Sequence, residues 1–274
     1  MTTHGLMWPP ADYEKVVPTT TPHEGTAIMP PAPKRSRARK IWTRALAALA
    51  VLLAAAVAGV VVAYPSVAAT TCPGCYGLTE LRPGVYIEHR LSPQQRSQVS
   101  QTVDAATKRV DTFYGGRKSS PSLLVCATEE CYQHIGGHKE RGIAVLNRSV
   151  MLSPRGLDVV IASHEMSHVE LHTRLTSGAE VPQWFDEGLA VVVSDDPRYL
   201  APRTTADRCL VSPTAPLPVS LDEWLSTASK DANTYAKAAC QVDRWLRANG
   251  DRQGLESLIQ HLNAGKTFDS LVAN

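Results

Sequence analysis

The longest uninterrupted apolar stretch of the chain covers residues 45–63, which contain no charged side chain. A helix of about 20 apolar residues spans the roughly 30 Å of hydrocarbon in a bilayer. The pattern therefore predicts one transmembrane helix, at residues 41–64. Residues 1–40 contain many prolines and few apolar positions, so we expect a disordered cytoplasmic tail there.

Beyond the apolar stretch, the spacing of apolar and polar positions changes to that of a folded domain. We expect a short stalk at residues 65–79 and an α+β domain at residues 80–274. The predicted strands cover residues 84–89, 122–127, 143–146 and 150–153, the last two as a hairpin. The predicted helices run from 92 to about 114, from about 157 to 175, from Pro182, from 231 to 248 and from 253 to 263, with a long loop at 195–221.

The helix predicted near residue 165 carries the string His164-Glu165-Met166-Ser167-His168. Two histidines at positions i and i+4 lie on one helix face about a turn apart, so both imidazoles can bind one ion. Catalytic zinc usually has three protein ligands and one open position, and Glu187 is the third candidate, after residues 169–186. Glu165 is then free to act as a general base. The alternative is a pair of helix-face histidines with a solvated glutamate.

These motifs, together with Trp184-Phe185-Asp186-Glu187-Gly188-Leu189-Ala190, resemble the gluzincin zinc metallopeptidases, and most of all their compact peptidase-MA-like members. The resemblance implies a zincin-like fold: a small mixed sheet, an active-site helix and a C-terminal helical lobe. It implies that one Zn²⁺ is held by His164, His168 and Glu187, with Glu165 as the base. It also implies that the edge of the sheet beside the active-site helix binds an extended peptide substrate.

Other residues extend this interpretation. Aminopeptidase-type gluzincins use a tyrosine C-terminal to the zinc site, which makes Tyr235 the candidate oxyanion donor; the alternative is an ordinary helix-face tyrosine. His172 is too far along the helix to join His164 and His168 on one ion, so we expect it to hydrogen-bond near the ligands or to lie at the edge of the core. His134 and His138 are expected to be polar groups of a loop. Small side chains at Gly188 and Ala190 are expected to let their helix approach the histidine helix.

The charge distribution indicates topology and argues against one class of partner. Up to residue 64 there are 7 Lys+Arg and 3 Asp+Glu, leaving 21 and 23 of the chain's 28 and 26, a net charge of −2, for residues 65–274. We therefore expect no nucleic-acid binding by the domain. The basic residues just before Ala45 place the N-terminus in the cytoplasm and the domain outside. An uncleaved anchor is favoured; the alternative is a secreted enzyme cleaved after Ser66-Val67-Ala68.

Six cysteines all follow the apolar stretch, as expected for disulfides on the exported side. We predict the pairs Cys72–Cys75, Cys126–Cys131 and Cys209–Cys240, one of 15 connectivities. The proposed activity from sequence is hydrolysis of exported peptides or proteins. The alternative is an exported zinc-containing binding or structural module without hydrolytic activity.

Overall fold

The structure is a computed structural model that describes residues 37–213 and 215–272. Of the tail predicted at 1–40, residues 1–36 lie outside the described residues, and residues 37–40 belong to the first helix and are not disordered. The helices are α1 (Arg37–Ala63), α2 (Pro65–Thr71), α3 (Pro93–Tyr114), α4 (Glu129–His134), α5 (Val159–Arg174), α6 (Gln183–Ser194), α7 (Leu221–Ala228), α8 (Thr234–Ala248) and α9 (Arg252–Asn263). The strands are β1 (Leu78–Arg82), β2 (Val85–Glu88), β3 (Ser122–Val125), β4 (Gly142–Val145) and β5 (Ser149–Leu152).

Helix α1 contains one segment, Ile41–Ala63, that is long and apolar enough to cross a membrane. Its side chains have no protein cover, as expected for a helix with this length and composition in a bilayer. The chain divides into two compact units, and residues 52–274 form the larger of them.

The five strands form one mixed sheet in the order β1-β2-β3-β5-β4. Strand β3 runs parallel to both β2 and β5, whereas β1 and β4 pair antiparallel at the two edges. Side chains alternate between the faces: Leu123 and Val125 join the main core, and Leu124 joins a smaller core on the other face. The α+β class with a small mixed sheet is confirmed.

The hairpin of β4 and β5 is confirmed, with a tight turn. Leu146 and Asn147 have φ values of 51° and 52°, and the Arg148 N–H donates to the Val145 carbonyl over 3.1 Å. Positive φ at both central positions defines a type I′ turn, whose twist matches that of the strands. Strand β4 is thereby held as an edge strand against α5.

Helix α5 lies in the centre of the domain, between α3, α6 and the β4–β5 hairpin. The Asp158 side chain caps it by accepting a hydrogen bond from the Ile161 N–H at 2.9 Å. Its apolar side chains Met166, Val169 and Leu171 are buried in the main core. This packing fixes the direction of the polar residues between them.

The expectations for two single residues need correction. Gly188 does not face α5: a Cβ there would lie 2.6 Å from the Ala238 carbonyl, so the small side chain admits α8 instead. His134 is the last residue of α4 and not part of a loop. Strand β1 and helices α4 and α7 were not predicted, because each is too short for a clear periodicity.

The segment expected to be a stalk packs onto the sheet. Ala69 of α2 is fully buried in the smaller core. There it packs with Tyr132 of α4 and with Ile135, the C-cap residue of that helix. A Cβ at Gly136 would lie 2.5 Å from the Ser66 backbone nitrogen, so glycine allows this close approach. Helix α2 therefore belongs to the folded domain.

Candidate metal centre

Helix α5 brings the two predicted histidine ligands together. The Nε2 atoms of His164 and His168 lie 3.2 Å apart. Glu187, in the first turns of α6, places its Oε2 3.4 Å from Nε2 of His164 and 3.8 Å from Nε2 of His168. Among the described residues, these three form the one group of His, Cys, Asp or Glu side chains arranged to hold a metal ion.

The spacing of the three atoms fits a tetrahedral zinc ion. Zn–N and Zn–O bonds of about 2.0–2.1 Å at tetrahedral angles separate neighbouring ligand atoms by roughly 3.3 Å. The distances of 3.2, 3.4 and 3.8 Å are close to that value. Two imidazole nitrogens and one carboxylate oxygen are also donors that zinc accepts, and three protein ligands leave a fourth position open.

The electrostatics of the cluster favour a cation. Burial alone lowers the pKa of His168, but the carboxylates of Asp186, Glu187 and Glu165 outweigh it and raise that pKa to about 10. Burial acts to raise the pKa of Glu187, but hydrogen bonding to His164 and the charges of both histidines lower it overall. Three buried carboxylates around two imidazoles thus stabilise positive charge, whether a proton or a metal ion supplies it.

Asp186 contacts two histidines of α5, and no role was predicted for it from the sequence. Its Oδ1 lies 2.7 Å from Nδ1 of His168, and its Oδ2 lies 2.8 Å from Nε2 of His172. Burial raises the pKa of Asp186, but the two histidines lower it well below its usual range. The predicted hydrogen-bonding position of His172 is therefore confirmed. An available signal was that a ligating histidine needs an acceptor for its second nitrogen.

Glu165 lies beside the three ligand candidates and is not one of them. It is buried against β4, where a Cβ at Gly142 would come within 2.8 Å of its Cγ. The backbone of Ala144 hydrogen-bonds to its carboxylate. Burial, as the largest effect, raises the pKa of Glu165 above its ordinary value. The carboxylate is thus held between the edge strand and the histidines, with a raised proton affinity.

The structure also brings Tyr235 to the cluster. Its ring centroid lies 6.4 Å from that of His164, it stacks on Tyr199 at 5.2 Å, and it meets Trp224 edge-on at 4.9 Å. Burial and the nearby Glu187 carboxylate raise the pKa of Tyr235 well above its usual range. The hydroxyl therefore keeps its proton near neutral pH and can donate a hydrogen bond.

All three predicted disulfides are present. Cys209–Cys240 joins the long loop after α6 to α8, just over one turn beyond Tyr235. Near this link the loop forms an isolated bridge between Leu200 and Cys209, and it carries Tyr199 onto the Tyr235 ring. His134 and His138 are not part of the metal cluster; the His134 ring contacts Tyr76 at 5.4 Å.

Comparison with known proteins finds no match to this chain among family models, curated proteins or solved structures.

Proposed function

We propose that this chain is a zinc metallopeptidase of the gluzincin type, held in the membrane by α1 with its domain outside the cytoplasm. The observation that carries the proposal is the convergence of His164, His168 and Glu187 on one point, with the carboxylate of Glu165 free beside it. Zinc held there would polarise a scissile carbonyl and acidify water near neutral pH.

Three side chains supply the proton transfer, the oxyanion hydrogen bond and the orientation of a metal ligand. Glu165, with its raised pKa, takes a proton from the attacking water and returns it to the leaving amine. Tyr235 donates its hydroxyl hydrogen bond to the oxygen that gains negative charge. Asp186 holds the His168 ring in one orientation and directs its Nε2 to the metal.

Strand β4 is the proposed site for the substrate. It is an edge strand, so its outer side can pair with an extended peptide, and it lies directly against Glu165. A peptide bound there by main-chain hydrogen bonds passes the metal cluster with little dependence on its sequence. We therefore propose peptides or exported proteins as substrates.

The rival function is an exported zinc-containing module that binds but does not hydrolyse. Glu165 separates the two, because a purely structural zinc site has no use for an unligated buried carboxylate at an open edge strand. The test is the zinc content and peptide-library cleavage of the full-length chain, wild type and Glu165→Gln. Hydrolysis that disappears in Glu165→Gln while zinc remains bound supports the peptidase; a zinc-loaded wild type without cleavage supports the module.

A further inference from the structure

A surface cavity of about 760 Å³ lies between α3, α8, the start of α9 and the loop after α6. None of the metal ligand candidates or Glu165 lines it. Six cationic side chains converge on it against three carboxylates, although residues 65–274 have a net negative charge. The cations are Lys108, Arg109, Arg203, Arg208, Arg247 and Arg252. Such a concentration of like charge opposes folding unless something compensates it.

Ion pairs within the cavity neutralise positive charge only at its floor. Arg208 is buried and pairs with Asp195 and, at 3.2 Å, with Asp243. Arg247 reaches Asp243 at 2.8 Å, and Arg203 reaches Asp195 at 3.3 Å. This chain of alternating charges joins three arginines to two aspartates and is itself left with one positive charge.

The rim of the cavity adds cations that lack close carboxylate partners. Arg109 donates to the backbone carbonyl of Ser194, and within the described residues the Lys108 ammonium forms no ion pair. Arg252 makes one long contact, 3.6 Å, to Glu256. Lys108 and Arg252 are exposed, so solvent ions or a ligand can reach them.

Helix α9 increases the positive potential at the same place. Arg252 is its first residue and its first turn contains no acidic side chain; the one carboxylate at this end is the N-cap Asp251, which also lines the cavity. The N-terminus of a helix carries a partial positive charge, which repels a cation at that position and attracts an anion. The walls also include apolar side chains, Phe113, Val192 and Leu246, which exclude water from one side of a bound group.

We propose that this cavity is an anion site for a phosphate-bearing ligand with two or more negative charges. Arginine guanidinium groups match phosphate oxygens through paired hydrogen bonds, and a cavity of this size accepts a small organic phosphate or a lipid headgroup. The phosphate is the chemistry common to both sources. Its binding is separate from the metal centre and does not depend on hydrolytic activity.

The test uses the full-length chain in nanodiscs of phosphatidylcholine, titrated calorimetrically with inorganic pyrophosphate. Wild type is expected to bind in a saturable manner. Lys108→Glu/Arg252→Glu should weaken the binding by at least about 100-fold, since each lost charge-assisted contact costs roughly tenfold or more. Lys266→Glu makes the same kind of charge reversal at an exposed position outside the cavity and should leave the affinity within about threefold.

Pyrophosphate also binds zinc, so binding at the metal centre has to be distinguished from binding in the cavity. The variant His164→Ala does this because it removes one metal ligand candidate and leaves the cavity intact. Unchanged affinity in His164→Ala supports the cavity as the site. Absence of saturable binding in wild type, or equal affinity in wild type and Lys108→Glu/Arg252→Glu, overturns the proposal.

Nanodiscs that also contain cardiolipin, whose headgroup carries two phosphates and two negative charges, distinguish the two sources at physiological salt, where the Debye length is about 8 Å. Both outcomes keep the phosphate site and assign its occupant. Pyrophosphate binding lost only in these discs identifies the lipid headgroup as the occupant. Binding that is kept in both kinds of disc identifies a soluble phosphate compound.

Discussion

Oδ1 of Asp186 lies 2.7 Å from Nδ1 of His168, so the residue next to one metal ligand candidate orients the ring of another. Because the Asp186 carboxylate can only accept, Nδ1 carries the hydrogen of this bond, which leaves Nε2 as the nitrogen that can bind a metal ion. This bond also couples α6 to α5 at the point where both contribute candidate ligand atoms.

Replacement of Asp186 by Asn is expected to weaken zinc binding by about 10- to 100-fold, because the amide is a poorer acceptor for the imidazole N–H and has no charge. Competition with a chromophoric chelator measures the affinity. Asp222→Asn, on the exposed side of α7, is the matched control and should bind zinc like wild type. Equal affinities in the two variants would show that Asp186 does not support the metal site.

The cluster could be predicted from the sequence, but the role of Asp186 could not. The spacing of His164, His168 and Glu187 follows from helix geometry and ligand chemistry, so the cluster could be predicted before any fold was known. The role of Asp186 depends on the rotation of α6 relative to α5, which packing determines. The same limit applies to Gly188: its small size was a visible signal for a close helix contact, but only the structure identifies α8 as the partner.

Tyr235→Phe is expected to lower kcat by about 10²-fold or more with zinc occupancy preserved, because it removes the proposed oxyanion donor and keeps the ring. Peptide cleavage under saturating substrate gives kcat. Tyr199→Phe is the control, since it retains the ring that stacks on Tyr235 and removes a different hydroxyl. A kcat for Tyr235→Phe equal to that of Tyr199→Phe would return Tyr235 to a packing role.

The disulfide Cys209–Cys240 should contribute more stability than Cys72–Cys75. The cysteines are separated by 31 residues in the first pair and by 3 in the second. Loop-closure entropy then predicts a loss of about 3–4 kcal/mol for Cys209→Ser/Cys240→Ser, against about 1–2 kcal/mol for Cys72→Ser/Cys75→Ser. Thermal unfolding of the full-length variants in detergent compares them. A larger fall in Tm for the short pair would contradict this order.

Gly188→Ala is expected to destabilise the domain by about 1–3 kcal/mol, because the new methyl group would lie 2.6 Å from the Ala238 carbonyl oxygen at the α6–α8 contact. Glu187 is the adjacent residue, so zinc affinity should fall together with Tm. Gly74→Ala is a neutral comparison, since no atom lies within 4 Å of a Cβ at that position. Unchanged Tm and zinc affinity in Gly188→Ala would mean that α8 moves away without cost.

The proposed topology predicts that protease added to intact cells digests the domain and leaves the N-terminus protected. The expectation rests on the basic residues before Ala45 and on the three disulfides after the apolar helix. Antibodies against tags at the two ends distinguish the fragments. Protection of the C-terminal tag in intact cells, with loss only after lysis, would reverse the orientation.

The burial of Ala69 limits where the chain could be cleaved without destabilising the domain. A secreted form cut after Ala68 would begin inside α2, without the helix turn that holds Ala69 in the smaller core. The apolar contacts of Tyr132 and Ile135 would then face water at the new N-terminus, which lowers the stability of the sheet face they cover. Release that keeps the domain intact has to occur before Pro65, so α2 acts as the first structural element of the domain and not as a spacer.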